Sequence, residues 1–321
     1  MYKEKKIAFV FPGQGSQYIG MGMDLLEKDP EFLRVFNLFQ TKTGHDLVSI
    51  MGIGPESLLT TTTFTQPATL AHSVMALKMF KKALKEKAID LKADFVAGHS
   101  LGEFSALVSN EVLNFEDALY LVYKRGEFML KANDNTPFAM AAVLGMEPAT
   151  IKEVCEEASK QHLVVAANYN SPVQTVISGT KEGVELAGSI AKGRGAKKIM
   201  LLPVGGPFHS PLIKNAATWL SEEMERISFK NAQIPIISNI DASPEREAEK
   251  IKNKLIHQVT SPVQWVDTVK YFGEQSVDIC IEFGPQIIVS KFIAKINENI
   301  KTFNIDKFDD IAKVISEFEA I

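Results

Sequence analysis

The chain is poor in cysteine and tryptophan, with two of each among 321 residues. Cys155 and Cys280 are too few for a disulfide framework or a cysteine metal site. Cys155 sits in a helical pattern and Cys280 in the apolar run Val277–Phe283, so both are expected to be small core residues. A basic excess is also missing: 35 Lys and Arg face 39 Asp and Glu, a formal charge of −4, which argues against a general nucleic-acid binder. Long apolar runs are absent. The longest, Phe138–Met146, falls well short of the ~18 residues a spanning helix needs. Ile7–Phe11, after the charged start Met1–Lys6, is too short for a signal-peptide core. The chain is therefore expected to be cytoplasmic, with no membrane contact. Low complexity and internal repeats are missing as well.

What remains is a globular composition. Hydrophobic residues make up 45% of the chain, enough for a sizeable core, and the length suits one large or two moderate domains. Ile7–Phe11 is a short apolar run that stops at Pro12-Gly13 and reads as a buried parallel strand. Pro67 opens a helical stretch with Leu70, Val74, Leu77 and Leu84 on one face. Phe95–Ala97 reads as another strand, with helix from Leu101 onward, and Asn114 as the cap of the next helix. This alternation implies a parallel sheet with helices on both faces. Between them the order changes to β-α-β-β-α-β, the ferredoxin-like unit. Its strands are expected at Phe138–Met146, Leu163–Ala167, Thr175–Ser178 and Ile199–Val204, its helices at Pro148–Lys160 and Lys181–Lys192, with a turn at Asn170-Ser171-Pro172. The expected division is a large α/β domain from residues 1–133 and 205–321, interrupted by a small α+β subdomain at 134–204. Strand and helix then resume at Ile234–Ser238, Ile279–Phe283 and Ile287–Ile296.

Gly98-His99-Ser100-Leu101-Gly102 is a G-x-S-x-G between a strand and a helix, the setting of a nucleophile elbow. A serine nucleophile needs a base. Of six histidines, His209 is the best placed, in the loop Gly205–Ser210 where the small unit rejoins the large one. Position alone does not decide it. His45, His72, His99, His162 and His257 fall on helices or in polar segments, and His99 should point away from Ser100. An oxyanion hole needs backbone donors. The N–H of Leu101 is the default first. Gly13-Gln14-Gly15 after the first strand offers the Gln14 N–H as a second, although a plain tight turn explains the glycines equally well. It is not a dinucleotide fingerprint, because Tyr18 stands where the last glycine would be. Arg125 lies on a helix 25 residues past Ser100. Arginine suits bidentate carboxylate binding, while spacing alone favours a solvated helix face.

Together these residues resemble the malonyl-CoA:acyl carrier protein transacylases over nearly the whole chain. The landmarks are FPGQGSQ at Phe11–Gln17, TQPA at Thr65–Ala68, GHSLGE at Gly98–Glu103 and KRGEFM at Lys124–Met129. NYNSP at Asn168–Pro172, PFHSPL at Pro207–Leu212, SPVQW at Ser261–Trp265 and EFGP at Glu282–Pro285 follow in the same order. The resemblance implies a hydrolase-like α/β core with an inserted ferredoxin-like subdomain. It implies Ser100 as nucleophile, His209 as base, Gln14 and Leu101 as oxyanion hole, and Arg125 as receptor of the malonyl carboxylate. Met129 and Asn168 are implied at the substrate, and a backbone carbonyl at Gln258 as the group orienting the histidine. Val173, Gln286 and Gly205-Gly206 depart from the family pattern without removing any of these groups.

The implied reaction is ping-pong malonyl transfer from malonyl-CoA to an acyl carrier protein in fatty-acid synthesis, with no metal or other cofactor, by a monomer. The carrier is expected to be acidic. Lys192, Arg194, Lys197 and Lys198, or the helix Lys78–Lys92, could receive it, although solvated faces explain both clusters. Three rivals remain: a free-standing acyltransferase for a polyketide synthase, a serine esterase or thioesterase, and a non-enzymatic docking module. The esterase would need a triad acid; Asp117 and Asp134 are the only aspartates between Ser100 and His209, neither in an obvious strand-end loop, and it would leave Arg125 unexplained.

Overall fold

The computed structural model describes residues 4–133 and 135–320. In chain order the elements begin β1 (Lys6–Phe11), α1 (Met23–Lys28), α2 (Phe32–Thr43), α3 (Leu47–Gly52), α4 (Glu56–Leu59), α5 (Thr62–Glu86), β2 (Phe95–Gly98), α6 (Gly102–Ser109) and α7 (Phe115–Lys131). Then come β3 (Phe138–Leu144), α8 (Pro148–Ala158), β4 (Val164–Ser171), β5 (Gln174–Thr180), α9 (Lys181–Gly193) and β6 (Lys198–Leu201). The chain closes with α10 (Lys214–Met224), β7 (Ile236–Ile237), β8 (Pro244–Glu245), α11 (Ala248–Gln258), α12 (Trp265–Glu274), β9 (Val277–Phe283), α13 (Val289–Ile296), β10 (Lys301–Ile305) and α14 (Phe308–Ala320).

The first sheet runs β10-β9-β1-β2-β7-β8, with every pair parallel except β7–β8. Its middle strand shows why the run IAFVF is apolar throughout. Successive side chains alternate between faces. Ile7, Phe9 and Phe11 enter one core cluster, while Ala8 and Val10 enter another on the opposite face. Helices cover both faces, so no position in the strand can be polar.

The second sheet runs β4-β5-β3-β6 and is antiparallel throughout. With α8 after its first strand and α9 after its third, this is the ferredoxin-like order. Ala141, Val143, Val164 and Ile177 pack with Ile151, Val154, Val184 and Ala187 of the two helices. The opposite face, with Met140, Ala142 and Val176, turns to the main core and lines a cleft. Main-chain bonds tie β4 to the segment just before α12: Val263 N–H donates to Ala167 O at 2.9 Å, and Tyr169 N–H to Val263 O at 2.9 Å.

Several expectations need correction. α5 begins at Thr62, so Pro67 lies inside the helix. Thr61 is extended and ends the preceding turn, so the helix starts there. The helix also ends at Glu86, so Lys87–Lys92 continues as loop. Asn170 and Ser171 belong to β4, and the connection to β5 is the two-residue turn Pro172-Val173. β7 has only two residues and β6 stops at Leu201. Asn114 does cap α7, its side chain accepting from Asp117 N–H at 2.7 Å. Cys155 and Cys280 are both buried and free. Asp134 and residues 1–3 lie outside the described residues. Among the described residues no helix is long and apolar enough to cross a membrane.

Candidate active site

The loops after β1 and β2 lie side by side, because His99 N–H donates to Phe11 O at 2.9 Å. Two glycines make the second loop possible. A Cβ on Gly98 would stand 1.9 Å from the backbone of Gly102, and a Cβ on Gly102 would stand 2.4 Å from Phe11 O. Neither position can carry a side chain without moving the chain. Between them Ser100 adopts φ 52°, a left-handed conformation that an L-residue holds only under constraint. Asn239, just past β7, supplies that constraint. Its Oδ1 accepts from Ser100 N–H at 2.7 Å, and its Nδ2 donates to Gly98 O at 2.6 Å.

Ser100 Oγ lies 2.8 Å from His209 Nε2. His209 Nδ1 faces two carbonyls, Gln258 O at 3.0 Å and Ser261 O at 3.1 Å. Carbonyl oxygens only accept, so Nδ1 carries the hydrogen in the neutral ring, and Nε2 is left to accept from the serine hydroxyl. Burial, and then the Arg125 cation, push the His209 pKa down to about 3, so the ring is neutral near neutral pH.

Arg125 reaches the pair from α7. Gly126 lets that helix approach α5 closely: a Cβ there would be 2.7 Å from Thr62 O. Arg125 is 2% exposed. Its Nη1 donates to Gln66 Oε1 at 2.7 Å, and its Nη2 to Gln258 Oε1 at 2.9 Å and to Ser100 Oγ at 3.1 Å. Nε has no partner among the described residues. Burial lowers the Arg125 pKa to about 10, opposed by Glu103, which leaves it fully charged at neutral pH. The guanidinium faces the Ser100 hydroxyl, not solvent.

The cleft holding these groups has a volume of about 550 Å³ and runs between the two sheets. Gln14, Leu101, Met129 and Asn168 all line it. The backbone N–H groups of Gln14 and Leu101 donate to no group among the described residues. Met129 is buried, its sulfur accepting from Gln66 Nε2 at 3.6 Å. His99 lines the cleft too and turns its Nε2 away from the serine to Asn170 Oδ1, at 2.7 Å. His72 is buried elsewhere, against Asp306. His45, His162 and His257 do not line the cleft. Asp117 pairs with Asn114 at the start of α7.

Four residues of the site were not singled out from sequence: Gln66, Glu103, Asn170 and Asn239. All but Asn239 lie within stretches already conspicuous, TQPA, GHSLGE and NYNSP. The Gln258 side chain also contributes, although only its carbonyl was expected to matter.

Fold and site together define the class: the chain belongs to the acyl transferase domain family, whose model matches residues 8–303. Its relatives narrow this to the malonyl CoA-acyl carrier protein transacylases. The Bacillus subtilis (strain 168) enzyme of that name is 43% identical over 97% of this chain and 96% of its own length. That of Escherichia coli (strain K12) is 39% identical over 92% and 94%. The solved malonyl CoA-acyl carrier protein transacylase of Coxiella burnetii superposes with a TM-score of 0.91 at 38% identity, covering 97% of each chain. A malonyl-transacylase solved in complex with its type II PKS acyl-carrier protein superposes with a TM-score of 0.90 at 36% identity, over 97% of this chain and 99% of that one.

Proposed function

We propose that the protein transfers a malonyl group from malonyl-CoA to the phosphopantetheine thiol of an acyl carrier protein, through a malonyl ester on Ser100. The observation that carries this is the buried Arg125 guanidinium 3.1 Å from Ser100 Oγ. A fixed cation beside a nucleophile favours an acyl group that ends in a carboxylate. In the first half-reaction His209 Nε2 takes the Ser100 proton as Oγ attacks the thioester carbonyl. The N–H groups of Gln14 and Leu101 hold the oxyanion, and CoA leaves with the proton returned by His209. In the second half the carrier thiol gives its proton to His209 and attacks the ester, and the serine recovers that proton. Gln258 and Ser261 carbonyls keep the imidazole oriented, in place of a triad carboxylate. Met129 and Asn168 form part of the wall around the acyl chain.

Residues 134–204 are read as a small unit inserted between 1–133 and 205–321. All strands of the antiparallel sheet fall within 138–201, which supports this. A cytoplasmic monomer serving fatty-acid synthesis completes the proposal. The type II PKS relative keeps a polyketide carrier as a second reading of the same chemistry. Intact mass spectrometry after brief exposure to malonyl-CoA or acetyl-CoA tests the first half-reaction. A malonyl adduct on the wild type, absent from Ser100→Ala and discharged by carrier protein, is the expected result. Free malonate without an adduct would point to a hydrolase instead.

A further inference from the structure

Glu103 is a buried carboxylate that the transfer mechanism does not use. It is the second residue of α6, three residues past Ser100, and is 2% exposed. No cation pairs with it directly among the described residues. Its Oε2 accepts from Gln258 Nε2 at 2.6 Å and from Asn239 N–H at 3.4 Å. Arg125 and Asp241 are the charged groups that act on it, and burial pushes its pKa up to about 7.

The Gln258 amide lies between Glu103 and Arg125. Its Oε1 accepts from Arg125 Nη2, and its Nε2 donates both to Glu103 and, at 2.9 Å, to Ser100 O. A guanidinium can only donate and an ionised carboxylate can only accept. Between these two the amide has a single satisfied orientation. If it turned over, NH₂ would face guanidinium and oxygen would face carboxylate, both unpaired and both buried. Ser100 O, which also only accepts, favours the same orientation. Removing the charge at position 103 weakens the restriction, because a neutral amide or acid there can both donate and accept, and it leaves the Ser100 carbonyl alone to hold the amide.

We propose that Glu103 is a positioning residue for acyl transfer: together with the Ser100 carbonyl, its carboxylate fixes the direction of the Gln258 amide, and that amide holds Arg125 in place beside Ser100. The inference rests on the reading of Arg125 as the receptor of the malonyl carboxylate. It predicts a specific failure. Without the charge the acceptor that aims the guanidinium is held less firmly, so donors ending in a carboxylate suffer while acetyl does not. His209 is held by the backbone carbonyl of Gln258 and is untouched by the amide direction.

The test, run at a pH well above the Glu103 pKa of about 7 so that the wild-type carboxylate is ionised, is formation of the Ser100 ester from malonyl-CoA and from acetyl-CoA, compared in wild type, Glu103→Gln, Gln258→Met and the double variant. Glu103→Gln should lower kcat/KM for malonyl-CoA by about tenfold or more, the scale of one hydrogen bond to a charged group, and change acetyl-CoA acylation by less than about threefold. The double variant should be no worse than Gln258→Met alone, because Glu103 acts through that amide. An unchanged malonyl-to-acetyl ratio in Glu103→Gln would overturn the proposal. So would equal losses on both donors with a lower melting temperature, or losses that multiply in the double variant. If Glu103→Gln does not fold, Gln258→Met decides: an unchanged ratio there overturns the proposal equally. A wild type that forms no malonyl ester would instead defeat the functional reading beneath it.

Discussion

Ser100 and His209, joined through Oγ and Nε2, both hold positive φ angles, 52° and 55°. Neither is glycine, so each carries backbone strain of about 1–3 kcal/mol that the surroundings must overcome. The strain points both side chains at one spot. Gly98, Gly102 and Asn239 impose it on the serine. The carbonyls of Gln258 and Ser261 fix the histidine ring.

That strain can be measured at Ser100. Ser100→Gly and Ser100→Ala lose the same hydroxyl and differ only in the Cβ. Glycine should be the more stable by about 1 kcal/mol, since only alanine retains the left-handed penalty. Thermal unfolding of the two variants gives the difference, and equal melting temperatures would remove the strain from the account.

Arg125→Ala should separate the two acyl donors. Losing the buried guanidinium removes the partner of a buried carboxylate, a cost of ~2–5 kcal/mol, or roughly 30-fold to several thousandfold in kcat/KM for malonyl-CoA. Acetyl-CoA should be affected far less. Parallel losses on both donors would show that Arg125 organises the site without receiving the carboxylate.

The pH dependence of acylation follows from His209. Burial and the Arg125 cation disfavour the imidazolium, lowering the pKa from 6.5 to about 3. The base form should therefore persist as pH falls below 6.5. With acetyl-CoA, whose acyl group cannot offset the guanidinium, kcat/KM should show no acid limb near that value. A limb there would mean that the free ring titrates normally. Stability carries the matching sign. Between pH 6.5 and about 3 the unfolded chain takes up a proton that folded His209 refuses, so this group removes stability as pH falls. Glu103, raised from 4.5 to about 7, acts the other way, removing stability as pH rises through that interval.

Asn239→Ala should weaken both fold and reaction. It leaves Ser100 N–H and Gly98 O without their side-chain partner at the elbow. Each buried unpaired group costs about 1–3 kcal/mol, so a total loss of a few kcal/mol is expected. Slower Ser100 acylation should accompany it, because the elbow relaxes. Normal acylation in a destabilised variant would confine Asn239 to the fold.

What could be read from the sequence was local. IAFVF is apolar at every position because both faces of β1 are covered, and the first glycine of G-x-S-x-G reports a steric requirement within five residues, Gly98 against Gly102. Asn114 and Asp117 make a cap that spacing alone identifies. Pro67 misled because a proline usually marks a helix start, whereas here α5 had begun at Thr62. The Asn239 and Gln258 contacts could not be read this way. Their side-chain bonds to the elbow, Glu103 and Arg125 join residues more than a hundred positions apart, and an asparagine or glutamine carries no periodic signal. The resemblance supplied a carbonyl at Gln258, but only the folded chain shows the amide between Arg125 and Glu103.

The second sheet's edge strand β4 is tied to the segment before α12 through Val263, whose N–H and carbonyl bond to Ala167 and Tyr169. These bonds belong to the main chain and do not depend on which side chains stand there. The gape of the cleft is thus inherited from the path of the backbone, while Met140, Ala142 and Val176 only upholster one wall. Frame and lining are separate parts. Selection, natural or in the laboratory, can recut the lining for a bulkier acyl group and leave the meeting point of serine and imidazole where it was.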